Sequence, residues 1–274
     1  MTILFAPPTA PLAQLHAHVQ VNGFAVLDAH EIPQWLNCER TELGALQSSW
    51  GDLAVDHYLK DGGRYRKRRH SCAVVTGDTV RIAPHRAHWQ PLSYNALHGG
   101  MQRWFEPISD AVLHNKAWLA LLTSGAQVAS ALRGHQPWFV EAHQFRIDTS
   151  DGIGRPTPEG AHRDGVDLVM VCLVERMSVK GGESRVFEAN GPSGQRFTMS
   201  QPWTTLLLDD AKVIHETTPI QPLQDFGWRD TLVLTFRAGS FQGDGEVGGG
   251  KPRSPAPTPV QKWRQCLDRR LCTW

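Results

Sequence analysis

At 274 residues with 41% hydrophobic content, the chain is long enough to bury a substantial core in one large domain or two small ones. Its 28 Lys and Arg against 27 Asp and Glu leave almost no net charge, so electrostatics make no case for a nucleic-acid or membrane partner. Five scattered cysteines without a Cys-x-x-Cys pair, no apolar run long enough to span a bilayer and no signal-like start point to a soluble cytoplasmic protein with reduced thiols.

In chain order, Gly23 to Asp28 reads as a first strand and Glu31 to Ser49 as helix. The basic run Arg64 to Arg69 is expected to be a solvated segment with one arginine turned inward; a nucleic-acid patch is the thinner alternative. Residues 109–132 carry Leu113, Ala117 and Leu121 at four-residue spacing, a helix that would pack on a sheet. From Glu141 the pattern turns to strands. His143 to Asp148 alternates, with Phe145 and Ile147 on one face and Gln144 and Arg146 on the other. Val166 to Val174 is apolar on both faces apart from Asp167, and Thr204 to Leu208, Lys212 to Thr217 and Asp230 to Arg237 follow as short strands. Helices followed by many short strands predict an α+β protein with a β-sandwich or jelly-roll core. The core lies mainly in 141–240 of a single domain spanning 1–240, and the Gly/Pro-rich 241–274 reads as a disordered tail, with a short helix possible over its last residues.

The chemistry concentrates in His162-Arg163-Asp164 and His215, with Arg229 and Thr231 downstream. Residues two apart on an extended segment point the same way, so His162 and Asp164 can reach one ion, with His215 arriving from a later strand. Two imidazoles and a carboxylate hold one face of an octahedral iron(II) ion and leave the other open. His-x-Asp alone also fits a polar turn, and among thirteen histidines chance matches are easy. On an extended strand Arg229 and Thr231 share a face, where guanidinium and hydroxyl could grip the far carboxylate of a dicarboxylic co-substrate. The bland reading pairs Arg229 with Asp225 or Asp230.

His162-x-Asp164…His215…Arg229-x-Thr231 resembles the signature of iron(II)/2-oxoglutarate-dependent dioxygenases. Glu141 to Ile147, Pro158 to Gly165, Gly181-Gly182-Glu183, Tyr65 to Arg69 and Tyr94 to Gly100 are similar, more narrowly, to bacterial enzymes of the isoleucine-dioxygenase type, which hydroxylate free L-amino acids. The likeness spans roughly residues 20–240. It implies a double-stranded β-helix (jelly-roll, cupin-like) core flanked by N-terminal and mid-chain helices. His162, Asp164 and His215 would be iron ligands, and Arg229 and Thr231 would bind 2-oxoglutarate. Fe(II), 2-oxoglutarate and O2 would be the cofactors, with succinate and CO2 released. The expected partner is a small-molecule substrate, a free L-amino acid, with Gln144 and Arg146 as its contacts. For Arg146 a salt bridge to Asp148 or Asp164 competes with that role.

Two other functions remain open on the residues alone: the same chemistry on a macromolecule, and a non-enzymatic jelly roll that holds metal or a carboxylate ligand. The complete ligand set argues against the second. Which substrate and which carbon, hydroxylation against other outcomes, and oligomeric state are not legible. Gly243-x-Gly245-x-x-Gly248 mimics a dinucleotide fingerprint, and Gly245 to Lys251 approaches a P-loop, but the prolines beyond forbid the helix that phosphate binding needs. His16, His18, His85 and His88 read as surface histidines, and no Gly-x-Ser-x-Gly marks a serine hydrolase.

Overall fold

The computed structural model describes residues 5–95 and 97–244. Helices dominate the first half: α1 Leu15–Asn22, α2 Ile32–Leu36, α3 Arg40–Gln47, α4 Asp110–Leu113 and α5 Lys116–Arg133. Early strands are β1 Phe24–Leu27, β2 Arg66–Thr76 and β3 Thr79–Ile82. The later ones are β4 Trp138–Asp148, β5 Leu168–Met177, β6 Val179–Gly181, β7 Ser184–Glu188, β8 Gly194–Phe197, β9 Thr205–Asp209, β10 Val213–Thr217, β11 Ile220–Pro222 and β12 Trp228–Ala238.

Both expected long helices are divided, each for a local reason. Asn37 takes a left-handed conformation (φ 49°) that stops α2, and Glu39 with Glu42 forms a capping box that restarts the chain as α3. Asn115 caps α5 by accepting the amides of Ala117 and Trp118, so α4 ends before it. Each interruption satisfies amides that a continuous helix would have bonded internally.

A seven-stranded antiparallel sheet in the order β1-β9-β5-β12-β4-β2-β3 carries the core. Helices cover one face: Trp118, Leu121 and Leu122 of α5 share a buried cluster with Val140, Met170, Leu232, Leu234 and Phe236. On the other face Val169, Leu206 and Leu208 pack against Val186, Phe197 and Val213 of a smaller sheet, β10-β7-β8. The two sheets form the jelly-roll, double-stranded β-helix core. Its alternation is clearest in β12, where Leu232, Leu234 and Phe236 meet the helices while Arg229, Thr231, Val233 and Thr235 line a cavity between the sheets.

The basic run departs from expectation. Arg66 to Thr76 forms β2, paired with β4 over its length, and two arginines, Arg66 and Arg68, turn inward and are buried. Lys67 reaches Asp148 at 3.2 Å, and Arg69, half-buried, reaches Asp52. The folded domain also runs past residue 240. Phe241 packs edge-on against Phe139, with ring centroids 5.0 Å apart, and Asp244 pairs with Arg86 at 2.5 Å. The rest of the expected tail, with its glycine-rich motifs, lies outside the described residues.

Candidate active site

His162 and His215 are cross-strand partners: each backbone amide donates to the other's carbonyl at 3.0 Å. That bridge brings the rings to 4.7 Å between centroids. Asp164 completes the group, its Oδ1 lying 3.7 Å from His162 Nε2 and its Oδ2 3.7 Å from His215 Nε2. One ligand atom from each of the three lies within 4.8 Å of the others. His162 Nδ1 donates to Gly160 O at 3.0 Å, a contact that fixes the tautomer with Nε2 free for a cation.

The turn that presents Asp164 is held from behind. Asp210, fully buried, accepts the amides of Asp164, Gly165 and Val166 at 3.0, 2.7 and 3.1 Å. Gln242 donates to the carbonyl of Asp164 at 2.8 Å, and Gln90 donates to its Oδ1 at 3.3 Å. Gly165 sits at φ +77°, and a Cβ there would fall 2.5 Å from the Tyr94 ring. Burial disfavours charge on all three ligating side chains. The Asp164 carboxylate outweighs it at His162, whose pKa rises to about 10. Burial and the neighbouring His162 charge push His215 down to about 4. A proton is thus held among atoms that a divalent cation would claim instead.

Across the cavity, Arg229 and Thr231 project from β12. Arg229 is buried, and its Nε and Nη2 have no hydrogen-bond partner. Burial, reinforced by the Arg176 charge, lowers its pKa to about 9. Neither Asp225 nor Asp230 answers it with an ion pair; Asp230 is taken by Arg146. A Cβ on Gly182 would lie 3.3 Å from Arg229 Cδ, so this glycine leaves room for the guanidinium.

The expected substrate contacts Gln144 and Arg146 require correction. Along β4 the residues facing the cavity are His143, Phe145 and Ile147. Gln144 points the other way and donates to Ser49 Oγ at 2.7 Å. Arg146 forms a two-pronged bond to Asp230 (2.8 and 2.6 Å) over the Trp228 ring. Its partner is therefore Asp230 rather than Asp148 or Asp164. The partly apolar strand face lines the cavity, and the polar one is used for structure.

His88 was expected at the surface but is buried, its Nδ1 bonded to Glu141 at 2.6 Å; His85 does remain exposed. His70, His88, Glu141 and His143 make a second compact set of potential ligands. This one is largely tied up in internal bonds, with His70 Nδ1 left unpartnered. Glu141 Oε2 also takes His70 Nε2 at 3.1 Å, and Arg68 Nη2 reaches His143 Nδ1 at 2.7 Å. The buried Arg68 and Arg103 guanidiniums beside it oppose a further cation. Sequence reasoning missed Gln90, Asn95, Arg103 and Glu159 in the cavity wall. They come from irregular segments with no periodicity to mark their direction.

A family model described as 2OG-Fe dioxygenase matches residues 47–235. The chain belongs to the 2OG-Fe dioxygenase family. The cofactors of a 2OG-Fe dioxygenase are Fe(II), 2-oxoglutarate and O2, consistent with a nearby His, His and Asp set. This dioxygenase is 48% identical to a crystallised bsmA homolog from Methylobium petroleophilum, with a TM-score of 0.82 over 88% of this chain and 99% of that one. It also shares its fold with IDO from Bacillus thuringiensis (19% identity, TM-score 0.68, 84% and 100% covered). The Fe(II)/α-ketoglutarate-dependent dioxygenase TqaL is similar in the same sense (20%, 0.66, 85% and 88%). No match was found among curated protein sequences. No helix among the described residues is long and apolar enough to cross a membrane.

Proposed function

We propose that this dioxygenase is of the isoleucine-dioxygenase type and oxidises a free L-amino acid. His162, Asp164 and His215 would hold Fe(II), and Arg229 with Thr231 the distal carboxylate of 2-oxoglutarate. The observation that carries the reading is the convergence of a two-histidine, one-carboxylate set opposite a buried guanidinium with two unpartnered nitrogens. The donors suit ferrous iron, and the arginine lacks the anion that a dicarboxylate would bring. When bound, iron and 2-oxoglutarate supply with O2 the oxidising power to functionalise a C–H bond, releasing succinate and CO2.

The chain's own residues would do the rest. The Gly160 carbonyl and Gln90 orient His162 and Asp164, and Asp210 holds the turn from Asp164 to Val166. Phe145, Ile147, Val171 and Val233 line the cavity with apolar surface that would exclude water from the reacting centre. Arg66, Arg68 and Arg103 line it as well, a cationic wall suited to the carboxylate of a small substrate. A cytoplasmic setting is part of the proposal, in keeping with the free buried thiols of Cys38, Cys72 and Cys172.

The test is succinate formation from 2-oxoglutarate with Fe(II), ascorbate and O2, across the twenty L-amino acids. Stimulation by one or a few, lost in His162→Ala, Asp164→Ala and His215→Ala, is the expected result. Near-normal turnover in any of these variants would overturn the ligand assignment. Turnover that no free amino acid stimulates would redirect the search to larger or modified substrates.

A further inference from the structure

Arg66, Arg68 and Arg103 contribute three guanidiniums to the cavity wall, all nearly inaccessible to solvent. One carboxylate, Asp56, answers two of them: Arg66 Nε at 2.7 Å and Arg68 Nη1 at 3.6 Å. The Arg68 guanidinium carbon lies 3.7 Å from the Phe105 ring centroid and 4.5 Å from that of Phe145. Arg103 donates to Gln90 Oε1 at 2.9 Å, a neutral acceptor. Arg66 Nη2, Arg68 Nε and Arg103 Nε are buried without a hydrogen-bond partner. Burial, with Arg66 next in weight, pushes Arg103 down to about 10, and burial drives Arg68 well below its ordinary range. Three guanidiniums at such depth with one carboxylate among them call for a further anion.

The same cavity holds the opposite deficiency. Glu159 lines it beside His162, its Oε1 3.8 Å from His162 Nε2, and its Oε2 is buried with no partner. Glu159 is one of three carboxylates whose charge supports the cationic form of Arg103, after Asp56 and ahead of Glu141, so the two groups lie within electrostatic reach. An unpartnered carboxylate oxygen in the same cavity as three unpartnered guanidinium nitrogens, without an ion pair between Glu159 and the arginines, is costly for the empty site. A ligand that carries both charges on neighbouring atoms would relieve both at once.

We propose that Glu159 and the Arg66–Arg68–Arg103 wall form a zwitterion clamp, in which Glu159 accepts the substrate's α-ammonium group and the arginines receive its α-carboxylate. This rests on the free-amino-acid reading above and adds what that reading leaves open: which residues enforce the free amine and the free acid. A clamp of this kind fixes the backbone end of the substrate and leaves the side chain to the apolar surface of Phe145, Ile147 and Val171. Recognition is thereby separated from the position that is oxidised. It also rejects N-acylated amino acids, which have no cation for Glu159, and esters, which have no anion for the arginines.

The test is calorimetric binding, without O2 and with Fe(II) and 2-oxoglutarate present, so that no turnover intervenes. Each of the twenty L-amino acids is titrated, and every binder is compared with its N-acetyl derivative, its methyl ester and its des-amino acid. The wild-type protein should prefer the free amino acid over the N-acetyl and des-amino forms by about 10²-fold or more, since a buried charge loses its partner in each case. Glu159→Gln should collapse that preference while the preference over the ester survives. Arg103→Gln should do the reverse, and this second variant guards against a Glu159 substitution that merely misfolds. Preserved discrimination in Glu159→Gln, or equal binding of amino acid and des-amino acid by the wild type, would overturn the clamp and leave the amino-acid reading standing. If the wild type binds no amino acid at all, the amino-acid reading fails and the clamp fails with it.

Discussion

Arg229→Met offers the sharpest separation between a structural and a ligand-binding arginine. Arg229 is 3% exposed, sits in the central strand β12, and has its Nε and Nη2 unpartnered. Its pKa falls from 12.5 to about 9, chiefly through burial and then through Arg176. At neutral pH the group is charged in both folded and unfolded chains, so the full penalty applies there; it would fade only as the pH rises through about 9. The depression corresponds to about 5 kcal/mol against the charged form, an upper bound, because effective desolvation penalties after relaxation settle at a few kcal/mol. Methionine keeps the length and apolar stem of the side chain and removes the charge. The ligand-free variant should therefore be more stable than wild type by about 2 kcal/mol, or roughly 5 °C in melting temperature for a domain of this size. The gain should reverse with 2-oxoglutarate. Under nitrogen with Fe(II), the wild type should be stabilised by the co-substrate, and Arg229→Met should need roughly 10²–10³ times more of it for the same shift. A thermal melt with and without 2-oxoglutarate reads both effects. A variant that melts below wild type, yet responds equally to 2-oxoglutarate, would mean that Arg229 serves the fold and the co-substrate binds elsewhere.

Three further substitutions test the surroundings of the site. Arg146→Met should cost about 3–5 kcal/mol in urea unfolding, because it strands the fully buried Asp230, while the apparent KM for the amino acid is unchanged; a large KM effect with little loss of stability would restore the substrate role first expected of this residue. Asp210→Asn offers one acceptor oxygen where two now serve three amides, so the Fe(II) concentration for half-maximal succinate formation should rise by about 10–100-fold. Unaltered iron dependence would show that the Asp164 turn needs no such support. Gly165→Ala should lower both melting temperature and turnover, since the left-handed backbone alone costs about 1 kcal/mol and Tyr94 must also move; a variant indistinguishable from wild type in both would refute the close approach.

How far the sequence discloses this site depends on how each residue is presented. Val213 to Thr217 and Trp228 to Ala238 are strands with plain alternation, so the shared faces of Arg229 with Thr231 and of His215 with Val213 follow from a two-residue period. The period does not reveal which face is inside. On β4 the polar pair Gln144 and Arg146 was expected to meet substrate because polar residues suit an active site, yet the helices cover that face, and Ser49 and Asp230 satisfy it. The opposite face, with His143, Phe145 and Ile147, lines the cavity. The basic run misled for a related reason. Arg64 to Arg69 has the composition of a solvated segment, but alternation on β2 sends Arg66 and Arg68 inward, and their burial is tolerable only because Asp56, from the irregular segment leading into β2, pairs with them. Glu159, Gln90 and Arg103 belong to irregular segments, where no period exists to carry direction and only tertiary packing decides what they face. Local pattern thus defines which residues travel together on a strand. The charges that line the cavity become visible only when the unpartnered guanidinium nitrogens and the unpartnered Glu159 oxygen are seen to share one enclosed space.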